Sequence, residues 1–97
     1  MKHFYRTNLT PVSVIEAADH FFAALDLQQR AESPRERIFE GELGWLKLSA
    51  RPEGGHYTFV EAQTNQIGES RLDRNVKRFF VHLHRLAEPR HTLEAAY

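Results

Sequence analysis

The chain contains no cysteine. Disulfides, thiolate metal sites and cysteine nucleophiles are therefore excluded. Net charge is absent too. Thirteen Lys and Arg balance thirteen Asp and Glu, so no global field draws the chain toward DNA or an anionic membrane. No run approaches the ~18 consecutive apolar residues of a membrane span. The opening MKHFYRTNL lacks the apolar core of a signal peptide. A cytoplasmic location and no membrane partner are the expectations. G-x-S-x-G, G-x-G-x-x-G and the P-loop pattern are all missing. No catalytic residue and no cofactor is assigned, and a non-catalytic role is favoured over an enzyme.

What is present is ordinary for a globular protein: 41% hydrophobic and 27% charged residues in 97. A chain of this length reads as one domain, 1–97, with 89–97 as a tail that is flexible or docked on a partner. It buries only roughly 60–65% of its extended surface, which favours two layers over three.

The strongest periodic signal is Glu69 to Ala87. Leu72, Val76, Phe79, Phe80, Leu83 and Leu86 follow the spacing of one buried helical face. At ~100° per residue, Arg71, Arg74, Arg78 and Arg85 gather on another side, with His82 near its edge. Ser70 and Asp73 suit an N-terminal cap, and Asp73 is spaced to pair with Lys77. Pro89 stops the helix. From Arg71 to Tyr97 there are six basic residues (Arg71, Arg74, Lys77, Arg78, Arg85, Arg90) and three acidic ones (Asp73, Glu88, Glu94). The rest of the chain is correspondingly acidic.

The earlier segments fall in order. His3 to Leu9 reads as a strand. A helix follows to about Leu27, capped either by Ser13 and Glu16 or by Thr10 with Pro11 at the first helical position. Its apolar side is Val14, Ile15, Ala18, Phe21, Phe22 and Leu25. Gln28 to Arg35 is polar and suits a loop or an edge strand, because Pro34 cannot donate to a ladder. Strands are expected near Glu36 to Glu40, Trp45 to Arg51 and His56 to Thr64. Pro52-Glu53-Gly54-Gly55 forms the turn between the last two.

The fold class is therefore α+β: a two-layer β-α-β-β-β-α chain, an antiparallel meander with both helices on one sheet face. In element order it resembles the helix-grip and TATA-binding-protein-like architectures. That resemblance implies the architecture alone, with no activity or site attached.

Alternation places Leu46, Leu48 and Ala50 inward and Trp45, Lys47, Ser49 and Arg51 outward. Tyr57 and Phe59 join the outward set if Thr58, Val60 and Ala62 face the core; in the opposite register they are core themselves. Trp45, Lys47, Arg51, Tyr57 and Phe59 thus form a candidate partner-binding face. It would serve a homodimer or, through stacking and phosphate contacts, nucleic acid. Arg71, Arg74, Arg78 and Arg85 form a candidate anion-binding stripe, or a solvated helix face. A cleft between sheet and last helix for a small apolar ligand is a third reading, opposed by four phenylalanines able to fill it. Glu16 with His20 and His84 with Glu88 have helical pair spacing. Two ligands do not make a zinc site, so no metal is assigned. Glu61 would be an acid or base only if buried among apolar neighbours.

Overall fold

The computed structural model describes residues 1–88; the tail at 89–97, with His91 and Arg90, lies outside the described residues. The elements are β1 (Lys2–Thr7), α1 (Pro11–Ala23), β2 (Gln28–Ser33), β3 (Glu36–Gly41), β4 (Gly44–Glu53), β5 (Tyr57–Thr64) and α2 (Arg71–Ala87). The strands form one antiparallel sheet in the order β1-β5-β4-β3-β2. The expected α+β class and element order are observed. The segment left between loop and edge strand is the edge strand β2, so the sheet has five strands.

Local chemistry sets the boundaries. Thr10 caps α1: its Oγ1 accepts from the Ser13 N–H at 3.1 Å, and Pro11 occupies the first turn. The alternative Ser13–Glu16 cap is not used. The helix ends at Ala23, four residues earlier than expected, and Asp26 turns the chain at φ 59°. In α2, Ser70 Oγ accepts from the Asp73 N–H at 3.0 Å and donates to Asp73 Oδ2 at 2.6 Å, a reciprocal cap. Gly54 and Gly55 take φ 32° and 63° in the β4–β5 turn, a backbone that side chains resist. Between Ala31 and Ser33 the β2–β3 register shifts, a bulge in the edge strand.

Both helices cover the same sheet face. Phe39, Leu46, Leu48, Ala50, Val60 and Ala62 point toward them and are completely buried. From the helices come Val14, Ala18, Phe22, Leu72, Val76, Phe79 and Leu83, also without exposure. Thus β5 buries Thr58, Val60, Ala62 and Thr64, and the reading of Tyr57 and Phe59 as core is excluded. Leu86, expected in the buried stripe, is 48% exposed and lines an open cleft with Leu9 and Ala17. Phe80 is half-buried and stacks on Tyr5 of β1 at 5.1 Å.

Phe22 touches Phe39 and Phe79, each with ring centroids 5.1 Å apart. These three rings fill the space between helices and sheet. Phe79→Ala should lower the unfolding free energy by ~3–5 kcal/mol, the range for truncating a core phenylalanine. Urea denaturation measures it, and a loss below ~1 kcal/mol would mean the site is not tightly packed.

Candidate functional site

The sheet face turned away from the helices has no protein covering it among the described residues. Strand register lays out its side chains in rows. Arg6, Phe59 and Arg51 stand abreast on β1, β5 and β4. The next row is Phe4, Glu61, Ser49 and Glu36. Beyond it lie Lys2, Gln63, Lys47, Ile38 and Arg30. Trp45, Glu40 and Gln28 close one end, and Tyr57 with Glu53 the other.

The five residues expected on this face are all on it, but not in one cluster. Tyr57, Phe59 and Arg51 lie at one end and Trp45 at the other, ~20 Å away along β4 at ~3.3 Å per residue, with Lys47 between. The aromatic cluster includes a residue the sequence reading did not assign to it. Phe4 packs on Phe59 with centroids 5.6 Å apart. Arg51 and Arg6 flank the Phe59 ring at 4.8 and 5.6 Å. Phe4 and Tyr57 are 55% and 57% exposed, large apolar groups held open to water. Trp45 and Phe59 are half-buried by their neighbours. Phe4 and Arg6 were missed because the β1–β5 pairing joins residues more than fifty positions apart, which no local pattern records.

The charges of this face are largely matched within it. Arg6 Nε lies 2.8 Å from Glu53 Oε1, Arg30 Nη2 2.9 Å from Glu40 Oε1, and Lys47 Nζ 3.5 Å from Glu36 Oε2. Glu61 is half-buried on this face.

The second candidate surface is the outer side of α2. Arg71, Arg74, Arg78 and Arg85 are all exposed on it. Arg74 Nε donates to the Glu69 carbonyl at 3.1 Å. Lys77 pairs with Glu69 at 2.7 Å rather than with Asp73, and holds that carboxyl below its ordinary value. Among the described residues, Arg71, Arg78 and Arg85 have no carboxylate within ion-pair distance.

Asp73 belongs instead to a buried polar cluster. Its Oδ1 accepts from His3 Nε2 and from Thr64 Oγ1, both at 2.8 Å, and its Oδ2 accepts from Ser70. Only 1% of it is exposed. Burial pushes its carboxyl up, and the hydrogen bonds from Ser70, His3 and Thr64 outweigh burial and hold it below the ordinary 3.8. Serine, histidine and aspartate meet here, but not as a nucleophile relay. Both Ser70 and His3 donate to the central carboxylate, and no histidine nitrogen accepts from the serine. The cluster fastens β1 and β5 to the start of α2.

Two open clefts lie at the edges of the layers. One of about 860 Å3 runs between the end of α1, the β3–β4 turn and the start of α2, and is lined by Asp26, Gln28, Glu40, Glu42, Arg71 and Asn75. Another of about 450 Å3 lies between the helices, where Leu9, Ala17 and Leu86 meet His20 and His82. His82 is half-buried against Phe21 at 5.8 Å, at the edge of the arginine side. Among the described residues no three of His, Asp or Glu converge on a common metal position.

No protein-family model and no curated protein matches this chain. No helix among the described residues is long and apolar enough to cross a membrane.

The buried carboxylate has a measurable signature. Its pKa is depressed by folding, so its contribution is complete above the unfolded value and is lost as pH falls through the lower folded value. Stability should therefore decline as pH drops below about 4. Asp73→Asn should flatten that limb and remove ~1–3 kcal/mol at neutral pH, since the amide cannot accept from all three donors. Denaturant midpoints from pH 2 to 7, about the carboxylate range, measure both effects.

Proposed function

We propose that the protein is a non-catalytic interaction domain that pairs with a second copy of itself through the open sheet face. The observation that carries this reading is the aromatic corner where exposed Phe4 and Tyr57 flank half-buried Phe59, on the broad sheet face that no helix among the described residues covers. Exposed apolar clusters of this kind mark contact surfaces. Aromatic and arginine side chains, both present at the corner, are the groups that anchor protein interfaces.

Charge favours a second copy as the occupant. The face carries Lys2, Arg6, Arg30, Lys47 and Arg51 against Glu36, Glu40, Glu53 and Glu61. With a near-even balance, two such faces carry little net repulsion, and a two-fold axis can set cations of one copy against carboxylates of the other. Size is also in range. Five strands at ~4.8 Å and about eight residues at ~3.3 Å project on the order of 600 Å2, against ~800 Å2 per partner in a standard interface.

The in-plane ion pairs speak against nucleic acid on this face, because Arg6, Arg30 and Lys47 already have carboxylate partners and would have to exchange them for phosphate. The packing of Phe22, Phe39 and Phe79 favours a filled interior over an apolar ligand site between sheet and α2.

Sedimentation velocity tests the pairing. Wild type should shift toward twice the monomer mass by ~200 μM, where a dimer held by only ~5.5 kcal/mol is populated. Tyr57→Glu and Phe4→Glu, both at exposed positions, should stay monomeric with unchanged stability. A wild type that is monomeric throughout overturns the reading.

A further inference from the structure

The cations of this protein are not treated alike. On the sheet, Arg6, Arg30, Arg37 and Lys47 each have a carboxylate within 3.5 Å, while Lys2 and Arg51 have none among the described residues. On the outer side of α2, among the described residues, Lys77 alone is so paired. Yet the chain has as many carboxylates as cations, so the unpaired arginines reflect placement rather than a shortage of acids. Asp73, the acid within α2's first turn, faces inward and is buried by His3, Thr64 and Ser70.

Arg74, Arg78, Val81 and Arg85 follow i, i+4, i+7, i+11, which is one straight line along the helix. Eleven residues at 1.5 Å make that line ~16 Å long. Val81 within it is 50% exposed, so no other element among the described residues covers it. Arg71 extends the line but shares its cleft with Asp26, Glu40 and Glu42, and is the member most compensated by neighbours. Glu69 and Glu88 flank the two ends of the helix, and Glu69 is held by Lys77.

We infer that this line binds the phosphate backbone of duplex nucleic acid, independently of sequence and of the sheet face. The line spans about five phosphates of one strand at ~3.4 Å axial rise. Guanidinium groups suit phosphate because they donate two parallel hydrogen bonds. The line has no apolar pocket and no aromatic group, so it lacks the anchors a protein partner would use. Contacts made to phosphate position a protein on the duplex and carry no sequence information.

Fluorescence anisotropy with a labelled duplex of ~20 base pairs tests this at ~25 mM salt, where phosphate contacts are strongest. Wild type should bind in the ~10–100 μM range, with log K falling against log salt at a slope near −3 for three phosphate contacts. The triple variant Arg74→Gln, Arg78→Gln, Arg85→Gln should bind at least tenfold more weakly with a slope near zero. Circular dichroism should show the triple variant folded, and Tyr57→Glu should bind the duplex like wild type. Absence of wild-type binding at low salt, or equal binding by the triple variant, overturns the inference. So does tighter binding to phosphatidylglycerol vesicles than to the duplex, which would assign the arginines to a membrane surface.

Discussion

Three phenylalanine rings tie the two layers together. Phe79 of α2, Phe22 of α1 and Phe39 of β3 meet at 5.1 Å steps, and each is sealed from water. Each ring comes from a different element, so the contact fixes both helices on the sheet at once. Aromatic contacts of this geometry add about 0.5–1.5 kcal/mol beyond area burial. The consequence reaches the opposite side of the sheet. Pleating sends alternate residues to opposite faces, so the same strands that deliver Phe39, Leu46 and Val60 inward must deliver Ile38, Trp45 and Phe59 outward. Two helices are enough to cover only one face. The bare aromatic surface is a geometrical consequence of how this short chain builds its core.

A polar clamp complements that apolar contact. Asp73 is a buried carboxylate with all its donors supplied by other elements or by its own cap. His3 comes from β1, Thr64 from β5 and Ser70 from the turn before α2. Among the described residues, no buried side-chain nitrogen or oxygen lacks a hydrogen-bond partner. The cluster therefore sets the position of α2 along the sheet with directional bonds, where apolar packing alone would tolerate sliding. It also removes an acid from the helix surface, so Asp73 forms no ion pair with the outer arginines.

What the sequence made legible follows from range. The stripe of Leu72, Val76, Phe79 and Leu83 and the alternation of Leu46, Leu48 and Ala50 are local patterns, and both lie where they were expected. The inward face of β5 could not be chosen from its own residues, because Tyr57 and Phe59 are as fit for a core as Val60 and Ala62. Partner strands decide it: β5 lies between β1 and β4, whose inward residues set the pleat. The Asp73 cluster was legible only in its local half. Ser70 and Asp73 read as a cap, but His3 is seventy positions away. Expecting Asp73 to pair with Lys77 followed helical spacing and failed, since burial by β1 and β5 outranks an exposed ion pair. Leu86 fits the periodicity of the stripe, but its position borders an open cleft rather than the packed layer.

The bulge between Ala31 and Ser33 has an effect on how copies of this chain can meet. A sheet has two open rims, and a regular rim invites another strand to add, which leads to fibres. The rim strand β2 shifts register against β3 between Ala31 and Ser33, which makes it irregular, and Pro34 follows at once with no N–H to offer. The opposite rim, β1, is only six residues long and ends in the polar turn at Asn8. Growth by edge-to-edge addition is blunted on both sides. Association across the flat of the sheet consumes the surface it uses, so an assembly built that way is finite and stops at a pair.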